Sequence, residues 1–164
     1  PYNLEIFRDR LKENHLSSQA KTFHQATGRF SIECYKADME YAFRTPGFGG
    51  FQLLDLQDYP GQGSALVGIL DAFMDSKGIV APETFYGFCA PLVPLALMKD
   101  HCWLNTQPLH IDVALSNYVE GDWNEPVRWS LVSDNGVWKR DGVLMASIPQ
   151  GKVCLLYTSP SPRD

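Results

Sequence analysis

The spacing of the apolar residues changes once along this chain of 164 residues, and that change limits the folds open to it. Before about residue 90, apolar residues recur at intervals of three and four, as on one face of a helix. From Pro94 onward they alternate with polar residues, as in antiparallel strands. We therefore expect an α/β region over residues 1–92 and an all-β, sandwich-like region over 93–153, with the boundary between residues 90 and 105.

Two helices are predicted before residue 45. Asn3 is a candidate N-cap for the first helix. The second helix is expected to open at Ser17 or Ser18 and to run to Arg44, because the Thr-Pro-Gly sequence at 45–47 cannot continue it. Both helices should present an apolar face to the rest of the α/β region.

Further helices and strands follow from local signals. Gly28, inside the second helix, indicates a kink or the close approach of another backbone. A third helix is predicted from Ala65 to Asp75 and a short one from Pro82 to Cys89. Strands are predicted within 109–115, 127–132 and 143–148, and turn sequences lie between them at 134–136 and 141–142.

The segment from Arg44 to Gly63 has the clearest functional pattern. A helix-breaking proline and several glycines precede an apolar run, 51–56, that ends in polar residues. This pattern predicts a buried strand with polar side chains at its carboxyl end, followed by a loop and a helix. Barrels and α/β sheets place their binding sites at that end of their strands.

Four polar residues at this strand exit are the candidate ligand-binding groups. Carboxylates and amides can hydrogen-bond sugar hydroxyls, which both donate and accept. Alternatively, the two carboxylates cap the following loop or pair with lysine or arginine. Tyr59 could stack on a sugar ring or pack within its own loop. The four candidates are Asp55, Gln57, Asp58 and Gln62.

Two motifs carry a family resemblance over Pro1 to about Lys152. They are Lys36-x-x-x-Glu-x-x-x-Arg-Thr-Pro-Gly47 and Asp55-x-Gln-Asp-Tyr-Pro-Gly-Gln-Gly63. Both resemble the end of the catalytic barrel in bacterial glycoside hydrolases of family 2, the β-galactosidase-like group. The resemblance implies the last βα part of a (β/α)8 barrel, followed by a partial β-sandwich.

The same resemblance implies an activity and the location of its catalytic groups. Enzymes of this family hydrolyse terminal glycosidic bonds with two carboxylic acids. In the family both are glutamates on earlier strands, so they are expected upstream of Pro1. This chain would then be a fragment, inactive alone, that adds one wall of a sugar pocket to the remainder of its parent polypeptide. The family also implies an exported parent, whereas composition alone leaves the compartment unknown.

Lys36, Glu40 and Arg44 share one helical face, since they are spaced four residues apart. An acid between two basic residues on an outer helix is predicted to be a structural ion-pair hub. Catalysis by Glu40 is disfavoured because the outer helices of a barrel support its strands and do not line its mouth.

Composition and motif spacing weigh against several other functions. The net charge of −5 and the lack of a basic cluster disfavour a nucleic-acid partner, and no apolar run has the length of a membrane span. Cysteine and histidine spacing predicts neither a disulfide framework nor a metal site, and the cysteines are expected to be buried free thiols. The sequence Gly61-Gln-Gly-Ser-Ala-Leu66 is a poor phosphate loop without a Walker lysine. No cofactor is expected.

The last eleven residues, 154–164, have a different predicted origin. Their sequence matches the translation of a sequencing adapter, so we expect a non-native tail that replaces the native continuation. Two alternatives to the glycosidase fragment remain open. One is a non-catalytic carbohydrate-binding module built on the β region, and the other is a purely structural segment. The four tryptophans, 103, 123, 129 and 138, are expected to anchor the core of the β region.

Overall fold

A computed structural model describes residues 2–61, 66–104 and 106–160 of the chain, with side chains as far as Leu156. Helices come first and antiparallel sheets follow, so the molecule is an α plus β protein. The chain divides into two compact units. The first comprises residues 1–39 and 50–87, and the second comprises 40–49 and 88–164.

Three α-helices lie in the described chain. They are α1 (Tyr2–Glu13), α2 (Ala20–Arg44) and α3 (Pro82–Tyr86), and a 3-10 turn at Ser17–Gln19 precedes α2. The predicted end of α2 is confirmed, because Thr45 and Pro46 follow its last residue, whereas α2 begins at Ala20, after the 3-10 turn, and not at Ser17 or Ser18. Helix α1 begins at Tyr2, so Asn3 lies in its first turn and is not its N-cap.

Gly28 allows a close contact inside the first unit, although with a side chain and not with a backbone. A Cβ at this position would lie 2.7 Å from Cδ1 of Ile79. Because real carbon atoms do not approach so closely, a larger residue would displace Ile79 from the surface of α2. Ile32, one turn further along, is buried.

The predicted strand over 51–56 is wrong. These residues form loops and turns, and their apolar side chains are largely exposed, with Leu54 84% accessible. A strand requires neighbouring strands to bond its N–H and C=O groups. Here one short parallel bridge, between Gln57 and Leu70, provides such pairing next to the segment.

The third predicted helix is also wrong over its described part, residues 66–75. The amide of Leu70 donates to the carbonyl of Leu56, and the carbonyl of Leu70 accepts from the amide of Asp58. These groups therefore bond to another segment and are not available to the helical ladder. The predicted start of this helix, at Ser64 and Ala65, lies outside the described residues.

Two antiparallel sheets make up the strands of the second unit. Strands β1 (Leu92–Leu97), β2 (His110–Asn117) and β5 (Lys152–Pro160) form one sheet in the order β1-β2-β5, and β3 (Pro126–Val132) pairs with β4 (Lys139–Met145) in the other. Strand β1, which contains Pro94, was not predicted. An edge strand tolerates proline because one of its sides has no strand to bond.

The predicted turn at 134–136 is confirmed, and the one at 141–142 is wrong. Gly136 has a φ of +70°, and Ser133 bonds across the hairpin to Trp138. Gly142 instead lies within β4, opposite Trp129. A Cβ on Gly142 would come within 2.8 Å of the Trp129 indole, so the glycine makes room for the ring.

A small apolar cluster joins the two sheets. Leu115, Ala146 and Ile148 are buried, and Val127 of β3, Cys154 and Leu156 of β5, Leu92 and Trp123 pack against them. Trp123 therefore meets the expectation of a core anchor. Trp129 remains 37% exposed, and Trp138 lies beside the guanidinium of Arg140 at 5.4 Å.

Strand β5 includes residues 154–160 of the tail that we expect to be non-native. Its main chain pairs with β2 from Lys152 to Pro160, with a register shift between Val113 and Ala114. Main-chain pairing uses groups common to almost every residue. The pairing is therefore no test of where the tail sequence came from.

The cysteines are free, as predicted, but none of them is fully buried. Cys34 and Cys102 are exposed, and Cys89 and Cys154 are half-buried. Burial raises the pKa of the Cys89 thiol. A thiol with a raised pKa is less often the reactive thiolate, which indicates a packing role for Cys89.

Candidate functional site

Asp58 is the most constrained of the predicted site residues. Its side chain is buried, and Oδ1 accepts two hydrogen bonds, from the backbone N–H of Gly68 at 2.9 Å and from Nζ of Lys77 at 2.7 Å. Lys77 also donates to the carbonyl oxygen of Gly68 at 2.8 Å. Asp58, Gly68 and Lys77 form a closed polar cluster, which we call the Asp58 cluster.

Gly68 is required by the geometry of this cluster. A Cβ at residue 68 would lie 2.6 Å from Cα of Gln57 and closer still to two other backbone atoms of Gln57 and Asp58. Only glycine permits two backbone segments to approach this closely. No local pattern indicated this role, because it depends on a contact between residues ten positions apart in the chain.

The other predicted site residues lie in different environments. Asp55 is half-buried, and Gln57 is exposed beside the Asp58 cluster. Tyr59 is exposed, and its ring occupies the space next to Gly61, where a Cβ would come within 2.7 Å of the phenol. Gln62 lies outside the described residues. Asp55 and Gln57 are thus close in the chain to Asp58, whose Oδ1 already accepts hydrogen bonds from Gly68 and Lys77.

A cavity of about 200 Å³ lies in the first unit beside α2. Its polar lining comes from His24, Thr27, Ser31 and Lys77. The hydroxyl of Thr27 donates to the carbonyl oxygen of Phe23 at 2.8 Å, and Lys77 is engaged with Asp58. Among the described residues, no carboxylate side chain lines this cavity, so they do not supply the pair of acids that glycoside hydrolysis needs.

The ion-pair face of α2 includes the pair formed by Glu40 and Arg44. Nη2 of Arg44 lies 3.3 Å from Oε2 of Glu40, and the Arg44 guanidinium also lies 4.8 Å from the centre of the Tyr41 ring. Lys36 lies one turn before Glu40 on the same helix. These contacts are local to the helix and give Glu40 a charged partner close by.

A larger cavity, of about 420 Å³, lies in the second unit at the connection between β1 and β2. Leu97 and Pro108 provide apolar lining, and Trp103 provides an indole. Two carboxylates, a lysine, an amide and an imidazole supply polar groups: Asp100, Asp112, Lys99, Gln107 and His110. We call this space the Trp103 cavity.

Sequence reasoning missed the Trp103 cavity. Its residues come from the end of β1, the start of β2 and the loop between them. One signal was present, since His110 and Asp112 alternate in the strand pattern and therefore share a face of β2. Strand β2 becomes buried toward Asn117. The two polar residues therefore lie near its less buried N-terminal end, which indicates a polar site there.

Metal sites, membrane-spanning helices and similarity to known proteins are the remaining indicators of function. Within the described ranges, no three His, Cys, Asp or Glu side chains come together as a metal site requires. No helix among the described residues combines the length and hydrophobicity needed to cross a membrane. Comparisons of the sequence with protein-family models and with curated proteins find no match.

Proposed function

We propose that this chain is part of a glycoside hydrolase and contributes one wall of its sugar pocket. The proposal is supported chiefly by the segment 51–58, where an exposed apolar run leads directly into Asp55, Gln57 and the Asp58 cluster. Phe51, Leu54 and Leu56 are exposed apolar residues of this loop segment and lack the apolar cover that packing against further protein would give them. The remainder of the parent polypeptide would supply that cover.

Within this proposal the polar residues have different roles. Asp58 holds the segment in place, because its Oδ1 is bonded to Gly68 and Lys77. Asp55 and Gln57 are then the groups that contact a sugar hydroxyl, and Gln62 is a further predicted contact on the strength of its position in the sequence. The catalytic acid and nucleophile are glutamates of the parent that precede Pro1.

The proposed reaction is hydrolysis of a glycosidic bond by two carboxylic acids, one on either side of that bond. The protonated acid gives its proton to the leaving oxygen while the second residue, as a carboxylate, attacks the anomeric carbon through an oxocarbenium-like transition state. Water, deprotonated by the first residue, then cleaves the glycosyl-enzyme and frees the second carboxylate. The wall that we assign to this chain adds hydrogen bonds to the terminal sugar. Such bonds raise the rate only when they strengthen in the transition state.

Asp55→Ala in the complete parent enzyme tests this role. Loss of the carboxylate leaves a sugar hydroxyl unpaired, which costs about 1–3 kcal/mol. We expect kcat/KM for an aryl glycoside to fall about tenfold or more, with an unchanged circular dichroism spectrum. Asp38→Ala, which removes an exposed carboxylate from α2, is the matched control.

The outcome separates the barrel wall from a structural segment. A near-normal kcat/KM for Asp55→Ala and Gln57→Ala alike would leave these residues with no part in binding. The genomic sequence upstream of Pro1 gives an independent check. The proposal requires a glutamate at the end of a strand there, and its absence would remove the catalytic pair.

A further inference from the structure

The Trp103 cavity has the size and lining of a small-molecule site. Small-molecule pockets in proteins measure about 300–1,000 Å³ and combine apolar walls with a few convergent polar groups. The Trp103 cavity, at about 420 Å³, lies within this range. All of its lining residues belong to the second unit and are separate from Asp55, Gln57 and Asp58.

The indole of Trp103 is held by its own loop. Its Nε1 donates to the carbonyl oxygen of Asp100 at 3.1 Å, and the side chain is half-buried. A fixed aromatic ring offers a flat apolar surface at little cost in conformational entropy. The ring is therefore suited to pack against the apolar face of a ligand.

Polar groups complete the lining around the indole. Asp112 and His110 share one face of β2, since side chains two residues apart point to the same side of a strand. The Gln107 side-chain oxygen accepts from the amide of Leu104 at 3.0 Å, so its amide nitrogen is the group oriented to donate. Asp100 and Lys99 add an acceptor and a donor from the loop.

The balance of charges selects among classes of ligand. Two carboxylates and one ammonium give the cavity no excess positive charge, which disfavours phosphate and other anions. The described residues bring no three metal-ligating side chains together, which disfavours a bound cation. An entirely apolar ligand would leave the carboxylates and the amide desolvated without partners.

We propose that the Trp103 cavity binds a neutral mono- or disaccharide. The indole packs against one face of a sugar ring, and Asp112 and Asp100 accept hydrogen bonds from its hydroxyls. Lys99 and the Gln107 amide donate to ring or hydroxyl oxygens, so both properties of a hydroxyl are matched. This site goes beyond the proposed barrel wall, because it needs neither the catalytic acids nor the segment 51–58.

Titration of the full 164-residue chain with sugars tests the site. The probes are galactose, glucose, xylose, lactose and cellobiose. Their binding is monitored by tryptophan fluorescence and by isothermal calorimetry. We expect at least one of them to bind with saturation and to change the fluorescence. Asp112→Asn should raise that dissociation constant about tenfold, since it replaces a charged acceptor by a weaker neutral one.

Two matched pairs of variants localise the binding. Trp103→Ala should abolish the fluorescence change and the binding, whereas Trp138→Ala, in the other sheet, should leave the dissociation constant unchanged. Asp55→Ala should also leave it unchanged, because Asp55 belongs to the proposed barrel wall. If Trp103→Ala fails to fold, Asp112→Asn keeps the shape of the side chain and still decides the question.

Four results would overturn the proposal. The first is that none of the five sugars saturates the protein at concentrations up to 100-fold above about 1 mM, which is itself the dissociation constant of a weak complex. The second is that a sugar binds and Asp112→Asn binds it equally well. The third is that inorganic phosphate binds and the binding disappears in Lys99→Ala. Sugar binding that depends on Asp55 and not on Asp112 would likewise overturn it, while supporting the proposed barrel wall.

Discussion

At the scale of single residues, Asp58 combines a sequence signal with an unexpected role. The sequence marked it as a candidate ligand for sugars or as a partner for lysine. In the structure its Oδ1 bonds to Lys77 and to the Gly68 amide, and it is 7% exposed. A charge so deeply placed is tolerated because it is both paired and hydrogen-bonded.

Removing one partner of the Asp58 cluster should destabilise the fold. Asp58→Ala leaves the Lys77 ammonium largely buried without its carboxylate, and we expect a loss of about 3 kcal/mol in the free energy of unfolding. The measurement is urea denaturation followed by circular dichroism. The double variant Asp58→Asn with Lys77→Met should lose less, since no unpaired charge remains and asparagine still accepts from Gly68. A loss below 1 kcal/mol for Asp58→Ala would contradict the role of the pair.

The close approach at Gly68 gives a second prediction. Gly68→Ala places a methyl group against the backbone of Gln57 and Asp58, so the segments must separate. We expect the free energy of unfolding to fall by about 1–3 kcal/mol. Gly49→Ala is the control, because a Cβ there meets no atom within 4 Å; its stability should remain within about 0.5 kcal/mol of the parent. Equal stability of the two variants would exclude the crowding at residue 68.

At the scale of elements, the β3–β4 hairpin shows how a local turn and a cross-strand contact fix a register. The turn uses Asn135, whose Oδ1 accepts from the amide of Val137 at 3.1 Å, and Gly136 in a left-handed conformation. Further along the ladder, Trp129 lies opposite Gly142. An aromatic ring beside a cross-strand glycine covers backbone that the glycine leaves bare.

Substitutions at Gly136 should test the turn. Gly136→Ala forces a Cβ into a backbone with φ of +70°, at a cost of about 1–2 kcal/mol. Gly136→Asn should cost less, because asparagine tolerates this region better than other non-glycine residues. Hydrogen exchange at the amides of Ser133 and Trp138 reports the opening of the hairpin. Faster exchange in the alanine variant than in the asparagine variant is expected, and equal rates would count against the strained turn.

At the scale of the whole molecule, exposed apolar side chains are the dominant feature. Helix α1 has no buried residue, and Tyr2 and Phe7 are 76% and 66% exposed. Leu54 and Phe73 in the first unit are more exposed still. Apolar side chains exposed in such number favour association, because contact between chains removes them from water.

The isolated chain is therefore expected to associate and to lack glycosidase activity. Size-exclusion chromatography with light scattering should give a mass above that of the monomer. Aryl glycosides should not be hydrolysed, because the proposed acid and nucleophile belong to other parts of the parent. Phe7→Glu, which places a charge on the exposed face of α1, should reduce the association. A monodisperse monomer that hydrolyses an aryl glycoside would contradict both expectations.

The sequence alone predicted the three described helices and, among the strands, β2, β3 and the end of β4, but neither β1 nor β5. Periodicity and the Thr45-Pro46 stop defined α2, and the Asp134-Asn135-Gly136 turn located the β3–β4 hairpin. These signals are local, because a helix bonds within itself and a tight turn needs a few specific backbone angles. The carboxylate and amide candidates were likewise read from residues adjacent in the chain.

The tertiary structure decided what depends on contacts between distant residues. The run 51–56 reads as a strand, yet it lacks the neighbouring strands that would pair it, and the sequence of one segment contains no information about its partners. Gly68 and Lys77 acquired their roles from Asp58, and the Trp103 cavity from three segments that meet at the β1–β2 connection. Burial and hydrogen bonding are properties of the assembled fold, so they decided which polar residues hold it together and which remain available for a ligand.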